Sequence, residues 1–158
     1  MIENKLEFKQ IDPALAPLPL LLEADPSQAC IERYLFDACC FVAYEDQQIV
    51  AVCIAKLDKQ GEAEIFNIAV LPNKQGMGIG SQLLKFTLAQ LKAKSVNTVL
   101  LGTGTFGYQL TFYQRLGFRV ESVRKDFFLT HYNAPIFEDG IQHKDMLRLK
   151  LTLNDGVS

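Results

Sequence analysis

The chain has 158 residues, 49% hydrophobic and 22% charged, which suits one soluble domain with a sizeable core and leaves little room for two. Its formal net charge of −2 argues against a general nucleic-acid binder, which must neutralise phosphates with Lys and Arg. No apolar run reaches the roughly 18–20 residues of a membrane helix, and residues 14–22, interrupted by Pro17 and Pro19 and preceded by acidic residues, do not read as a signal peptide, so the expected location is cytoplasmic with no membrane partner.

Residues 6–11 alternate as a strand. Pro13, Pro17 and Pro19 break up the next stretch, leaving a short helix around residues 20–24. Asp25-Pro26-Ser27-Gln28 reads as a helix start, with Asp25 as N-cap, Pro26 at the first helical position and Gln28 three residues after the cap; the helix runs to about residue 36. Apolar strands over 40–44 and 49–57, joined by the polar turn 45–48, form an antiparallel hairpin. Asp58-Lys59-Gln60-Gly61 turns into a third strand over 62–70. After a glycine-rich loop, 81–94 reads as a helix with Leu84, Leu88 and Leu91 on one stripe, supported by Leu83. A strand over 96–101, a loop over 102–107, a short helix over 108–116 stopped by Gly117 and a strand over 118–123 come next. Residues 146–153 alternate as a last strand. An antiparallel meander leading into two strand–helix units makes an α/β fold (α+β in some schemes), a mixed sheet with helices on both faces.

Cys30, Cys39, Cys40 and Cys53 form no CxxC, sit in apolar contexts and lie far in sequence from His131 and His143. Metal spacing is absent, and the reading is buried, reduced thiols of a cytosolic protein. Seven of the ten glycines crowd between residues 76 and 117. Gln75-Gly76-Met77-Gly78-Ile79-Gly80-Ser81 joins a strand to a helix. A helix start offers unpaired N–H groups and a positive dipole end, and glycines let a phosphate approach them, so this loop reads as a phosphate cradle. It lacks the Lys that a nucleotide P-loop needs after its last glycine. The second loop, Gly102-Thr103-Gly104-Thr105-Phe106-Gly107, spells GxGxxG between a strand and a helix, with Glu121 about 20 residues on: a dinucleotide fingerprint on paper. The helix after it has only about nine residues, and about 37 residues follow Glu121, too few to complete a doubly wound fold. A dinucleotide-binding oxidoreductase therefore stands only as an alternative.

Gln75-x-x-Gly78-x-Gly80 resembles the Q/R-x-x-G-x-G/A signature of the GNAT family, the acetyl-CoA-dependent N-acetyltransferases. The strand Glu64-Ile65-Phe66-Asn67-Ile68-Ala69-Val70 running into Pro72 is similar to the family's fourth strand. Phe112-Tyr113-Gln114-Arg115-Leu116-Gly117-Phe118 is similar to its FYxxxGF segment. The resemblance runs from about residue 6 to 153 and is strongest over 62–118. It implies a three-layer αβα architecture, with a mixed, mostly antiparallel sheet of six to seven strands, in a single acetyltransferase domain over 1–158. The GTG loop, FYQxxGF, DFFxxHY and DM together resemble a bacterial subgroup of unassigned substrate.

The resemblance implies that backbone amides of Gly76, Met77, Gly78, Ile79, Gly80 and Ser81 bind the pyrophosphate of coenzyme A, with Gln75 shaping the loop and Lys74 and Lys85 flanking it. Backbone groups of Ile68, Ala69 and Val70 would pair with the pantetheine arm. The Val70 amide would polarise the thioester carbonyl, a donor worth roughly 3 kcal/mol. An alkylammonium has a pKa of about 10, and a carboxylate acting through water can take its proton; Glu64 lies where several members place that base. Tyr113 matches the family's general acid for the leaving thiolate. Thr105 stands in the region where many members carry a cofactor-contacting Asn. Phe128, His131 and Tyr132, with acidic neighbours, suit contacts to an amine-bearing acceptor. No metal is implied. The implied function is transfer of acetyl from acetyl-CoA to a primary amine of a small molecule, peptide or protein by direct attack in a ternary complex. The alternative from another class is a non-catalytic acyl-CoA-binding module on the same fold. The acceptor's identity lives in variable surrounding elements, and a homodimer is the base-rate expectation for an oligomer.

Overall fold

A computed structural model describes residues 5–153. The two ends of the 1–158 span, Gly156 among them, lie outside the described residues. The chain divides into two compact units, the first ending at Asn97 and the second beginning at Thr98.

In the first unit β1 (Leu6–Ile11), β2 (Cys39–Glu45), β3 (Gln48–Leu57) and β4 (Glu62–Val70) form an antiparallel meander in chain order. The β2–β3 turn is two residues, Asp46 and Gln47, both at left-handed φ (50° and 66°), the conformation whose twist matches a tight hairpin. Strand alternation divides the apolar residues between two faces. Cys40, Val42, Val52, Ile54 and Ala69 pack with Leu20 and Leu21 of α1 (Leu18–Ala24) and Ile31 of α2 (Gln28–Leu35). Phe41 meets Phe86 of α3 (Ile79–Ala93) edge-on, and Phe8 of β1 stacks on the same ring at 5.5 Å. α3 buries Ile79, Leu83, Leu84, Thr87 and Leu91. Burial on both faces is why β2 and β3 read as near-continuous apolar runs. Each such large side chain contributes about 1.5–3 kcal/mol by leaving water.

Two helix starts differ from the sequence expectation. Ser27, not Asp25, caps α2, its Oγ accepting from the Cys30 amide at 3.1 Å. Asp25 is buried and closes α1 instead. Its carboxylate accepts from the Ser27 amide (3.0 Å) and the Tyr34 hydroxyl (3.1 Å), so it ties α1 to α2 and Pro26 precedes the cap. α3 begins at Ile79, two residues earlier than the stripe of leucines indicated, because Gly78 itself is the N-cap.

In the second unit β9 (Met146–Thr152) lies between β5 (Thr98–Gly104) and β6 (Arg119–Arg124), antiparallel to both. α4 (Tyr108–Arg115) comes after β5, and Gly117 lies just past its end. α5 (Phe127–His131) and a small hairpin, β7 (Phe137–Glu138) with β8 (Ile141–Gln142), are elements that periodicity did not reveal, being too short to carry a period. β5 runs three residues beyond its expected end, through Gly102, Thr103 and Gly104. Half of the GxGxxG segment is therefore strand rather than loop, and the dinucleotide reading loses its basis.

None of the four cysteines forms a disulfide. Cys40 and Cys53 are fully buried, and burial pushes both thiols up to about 12, so they stay protonated and unreactive at neutral pH. Iodoacetamide at pH 8 is expected to leave Cys40 and Cys53 unlabelled until the chain is unfolded, as peptide mass spectrometry would show. Labelling of Cys53 in the native protein would contradict this packing.

Candidate active site

Within the paired stretch, Ala51–Leu57 of β3 lies against Ala63–Val70 of β4, which is one residue longer. Ile54 pairs with Asn67 and Ala55 with Ile65, which leaves Phe66 unopposed as a β-bulge. Residues three apart on an unbroken strand point to opposite faces. Here the bulge resets the alternation. Glu64 stands opposite Lys56 and so shares the face of Ile54 and Asn67. Glu64 is half-buried in mid-strand between buried Ala63 and Ile65. Beyond the bulge, the Leu71 amide donates to the Val50 carbonyl (2.9 Å) and Val70 faces Ala51. Ladder alternation then points the backbone groups of Ala69 toward β3 and those of Ile68 and Val70 away from it. The Val70 carbonyl, on that outward side, accepts from the Gln75 side chain at 3.0 Å, which fastens the adjoining loop to the strand end.

A buried network pins the bulge. Asn67 donates through Nδ2 to the Leu21 carbonyl (3.0 Å) and the Tyr34 hydroxyl (2.9 Å). Tyr34 in turn donates to Asp25 and stacks on Phe66 at 5.2 Å. Burial pushes the Tyr34 hydroxyl up, keeping it a proton donor.

A 3-10 turn (Pro72–Lys74) leads into the glycine loop. Lys74 forms a partly buried ion pair with Glu45 of β2, which draws its charge away from the loop, while Lys85 is exposed on α3. Gly78 sits at φ +81°, where an L side chain would be strained, and α3 has no side-chain cap. The first intrahelical bond runs from the Gln82 amide to the Gly78 carbonyl (3.1 Å), so the amides of Ile79, Gly80 and Ser81 have no acceptor within the helix. A Cβ on Gly76 would meet no atom within 4 Å. Uncapped amides, a positive dipole end and open space fit the pyrophosphate of coenzyme A. Met77 and Gly76 are exposed, and Ile79 is buried and anchors the first turn.

In the second unit Tyr113 is buried on α4, its ring edge-on to Phe112 (5.2 Å) and Phe118 (6.0 Å). Its carbonyl accepts from the Leu116 and Phe118 amides and closes the helix. Thr105 is exposed in the three residues between β5 and α4. Phe128 lies tilted against Tyr132 (5.9 Å) and His143 (5.7 Å). His131 is engaged by its own helix, with Nδ1 bonded to the Phe127 carbonyl at 3.0 Å and its ring stacked on Phe127 at 4.1 Å.

The glycines of the second loop prove to be clearances for protein side chains. A Cβ would fall 2.4 Å from the Met146 sulfur at Gly102, 2.3 Å from the His143 ring at Gly104 and 2.6 Å from the Glu138 carboxylate at Gly107. His143 is buried, bonds Glu138 through Nε2 at 2.8 Å and lies flat on Phe106 at 4.1 Å. Sequence reasoning missed this pair. Its signal was the glycine spacing, which becomes legible only once residues 138–146 are known to cross β5. Asp145 accepts from the Asp126 amide at 2.8 Å, which holds its carboxyl below the usual range. Among the described residues no cluster of His, Cys, Asp and Glu could hold a metal, and no helix is long and apolar enough to cross a membrane.

Residues 36–120 match the family model of the acetyltransferase (GNAT) domain. The chain belongs to the GNAT family. This GNAT chain is 39% identical over 135 residues to the uncharacterised N-acetyltransferase YvbK of Bacillus subtilis, covering 85% of this chain and 87% of that protein. Among solved structures, an IAA acetyltransferase from Bacillus cereus superposes with a TM-score of 0.89 at 35% identity, over 94% of this chain and 100% of the other. A GNAT acetyltransferase from Elizabethkingia anophelis, with acetyl-CoA bound, superposes with a TM-score of 0.88 at 36% identity, over 96% and 100%. The mixed α/β fold of strands flanked by helices is the fold of these relatives. The chain is an N-acetyltransferase, and acetyl-CoA is the donor of its family.

Replacing Gly104 by Ala drives a methyl group into a buried imidazole. The overpacking is expected to cost about 2 kcal/mol and to lower Tm by about 4–8 °C. An unchanged melting curve would show that His143 does not occupy this position.

Proposed function

We propose that this enzyme acetylates a primary amine, on a small molecule or on a peptide or protein, by direct attack within a ternary complex. The observation that carries the proposal is the stretch from Ile68 to Ser81, which aims backbone groups away from β3 and then offers uncapped helix amides. Acetyl-CoA, when bound, supplies an activated thioester. Gly76 to Ser81 hold its pyrophosphate, and Gln75 keeps the loop against the end of β4. Ile68 and Val70 align the pantetheine arm, while Ala69 holds the strand to β3. The Val70 amide donates to the carbonyl oxygen as negative charge builds there. Glu64 takes the ammonium proton through water, the amine forms a bond to the acetyl carbon, the C–S bond breaks, and Tyr113 protonates the departing sulfur. Thr105 contributes a contact to the donor, and Phe128, His131 and Tyr132 contact the acceptor. The proposal takes 1–158 as one acetyltransferase domain working in the cytoplasm. A homodimer would show directly in light scattering.

The burial of Tyr113 and the half-buried, mid-strand place of Glu64 support these roles, because proton transfer is best controlled where water is limited. Saturating acetyl-CoA is expected to raise Tm, since about 100-fold excess over Kd adds about 2.7 kcal/mol; Gly78→Val should abolish that shift. In a panel of spermidine, tyramine and an alanine-terminated peptide read by release of free CoA, Tyr113→Phe is expected to lower kcat about 100-fold. Glu64→Gln should do the same near pH 7 and recover as pH rises toward the amine's pKa of about 10, where the free base no longer needs help. Unchanged turnover in both variants would overturn the assignments. Tight acetyl-CoA binding with no turnover on any amine would favour the non-catalytic module.

A further inference from the structure

We propose that Glu138 and His143 are positioning residues for the acid step: Glu138 sets its charge beside the start of α4 from the neighbouring hairpin, His143 fixes its carboxylate, and together they set where Tyr113 sits. The inference rests on the reading of Tyr113 as the acid. α4 begins at an N-cap with no side chain of its own, Gly107, held at φ +104°. The oxygens of Glu138 lie 2.6 and 2.8 Å from the point a Cβ would occupy there, so the carboxylate stands beside the helix start in the space a side chain at this position would need. Negative charge at a helix start is favoured by the uncapped amides and the macrodipole. The same carboxylate accepts from His143 Nε2 at 2.8 Å, which assigns the ring proton to that nitrogen.

His143 is tied to the same segment a second time. Its ring lies parallel to Phe106, 6° between planes, one residue before Gly107, and it sits against Gly104 at the end of β5. The stretch from Gly104 to Gly107 is thus clamped between one imidazole and one carboxylate, and it leads straight into the helix that carries Tyr113. His143 Nδ1 is buried and has no hydrogen-bond partner. A ring with one orphaned nitrogen is a costly filler, and an apolar side chain would serve packing alone better. What the polar pair adds is a fixed charge at the helix start. The hairpin that delivers Glu138 turns through Asp139 and Gly140, both at left-handed φ, which pins the register of Phe137 opposite Gln142.

The test compares Glu138→Gln, His143→Gln, His143→Leu and Tyr113→Phe, with kinetics on the best amine among spermidine, tyramine and the alanine-terminated peptide, and acetyl-CoA affinity by calorimetry. Hydrogen–deuterium exchange of the α4 amides supplies a readout that needs no acceptor. Glu138→Gln keeps the shape and the bond to His143 but removes the charge. It is expected to lower kcat about 10-fold, because small misplacements of a reacting group cost up to about 100-fold, to leave KM for acetyl-CoA within about twofold, and to speed exchange in the first turn of α4. His143→Gln, which can still donate to Glu138, is expected to lose less than His143→Leu. In the Tyr113→Phe background Glu138→Gln is expected to cost no more than about twofold further, since its effect runs through the tyrosine. An undiminished kcat and unchanged α4 exchange in Glu138→Gln would overturn the inference, as would a full 10-fold loss on top of Tyr113→Phe. Wild-type turnover in Tyr113→Phe would instead overturn the reading of the acid itself.

Discussion

One extra residue in the paired stretch of β4, the bulge at Phe66, sets how that strand presents its side chains and backbone. A strand has only two faces and two edges, and every residue's side chain and amide are assigned by parity. Inserting Phe66 changes that parity once. Ahead of it, Glu64 is brought onto the face of Asn67; after it, Ile68 and Val70 aim their backbone groups away from β3. The bulge leaves Phe66 without a ladder partner, and the surroundings hold it by other means: the stack on Tyr34 and the two bonds from Asn67. The compensation is incomplete, since the buried Asn67 Oδ1 finds no partner. Unrelieved cost of this kind concentrates where geometry serves chemistry rather than stability.

The two glycine-rich segments answer opposite needs. At Gly76 an added methyl group would point into empty space, whereas at Gly102, Gly104 and Gly107 it would strike a sulfur, an imidazole and a carboxylate. The first segment borders open space, and its left-handed backbone at Gly76 and Gly78 is what calls for glycine there. The second lets parts of the chain approach one another. Sequence spacing cannot separate the two, because a missing Cβ looks the same whichever neighbour requires its absence. A GxGxxG motif is therefore informative only with its partners in view.

The sequence made the long, periodic parts legible: the meander from β1 to β4, the leucine stripe of α3, the helix stop at Gly117 and the glycine loop leading into α3. These are local properties of composition and period. What it hid was decided elsewhere in the chain. Asp25-Pro26 looks like a helix cap by local rules, yet Asp25 is drawn into a bond with Tyr34, nine residues on, and Ser27 takes the cap. β5 outruns its apolar residues because β9 sets Arg148, Leu147 and Met146 opposite Gly102, Thr103 and Gly104. α5 and the β7–β8 hairpin, at five and two residues per element, are too short for a pattern. The pairing of Glu138 with His143 depends on a small hairpin whose only local trace is Asp139-Gly140.

On the proposed reading of the glycine loop, an acidic chain holds a polyanion without enlisting lysines. A lysine-lined site would raise the local potential for every anion, and each lysine would lose much side-chain freedom on being held. Backbone amides at the start of α3 are neutral, already fixed by the helix and directed at one point, so they discriminate by geometry instead of by field. The lysine in the loop's approach is consistent with this division: Lys74 is neutralised by Glu45 and braces the 3-10 turn against β2. The same economy recurs at α4, where Gly107 leaves the helix start bare and a carboxylate reaches it from another segment. In one helix the open amino end faces outward and is available to a ligand's negative charge. In the other the protein supplies the negative charge itself, and the helix that carries Tyr113 is fixed by it.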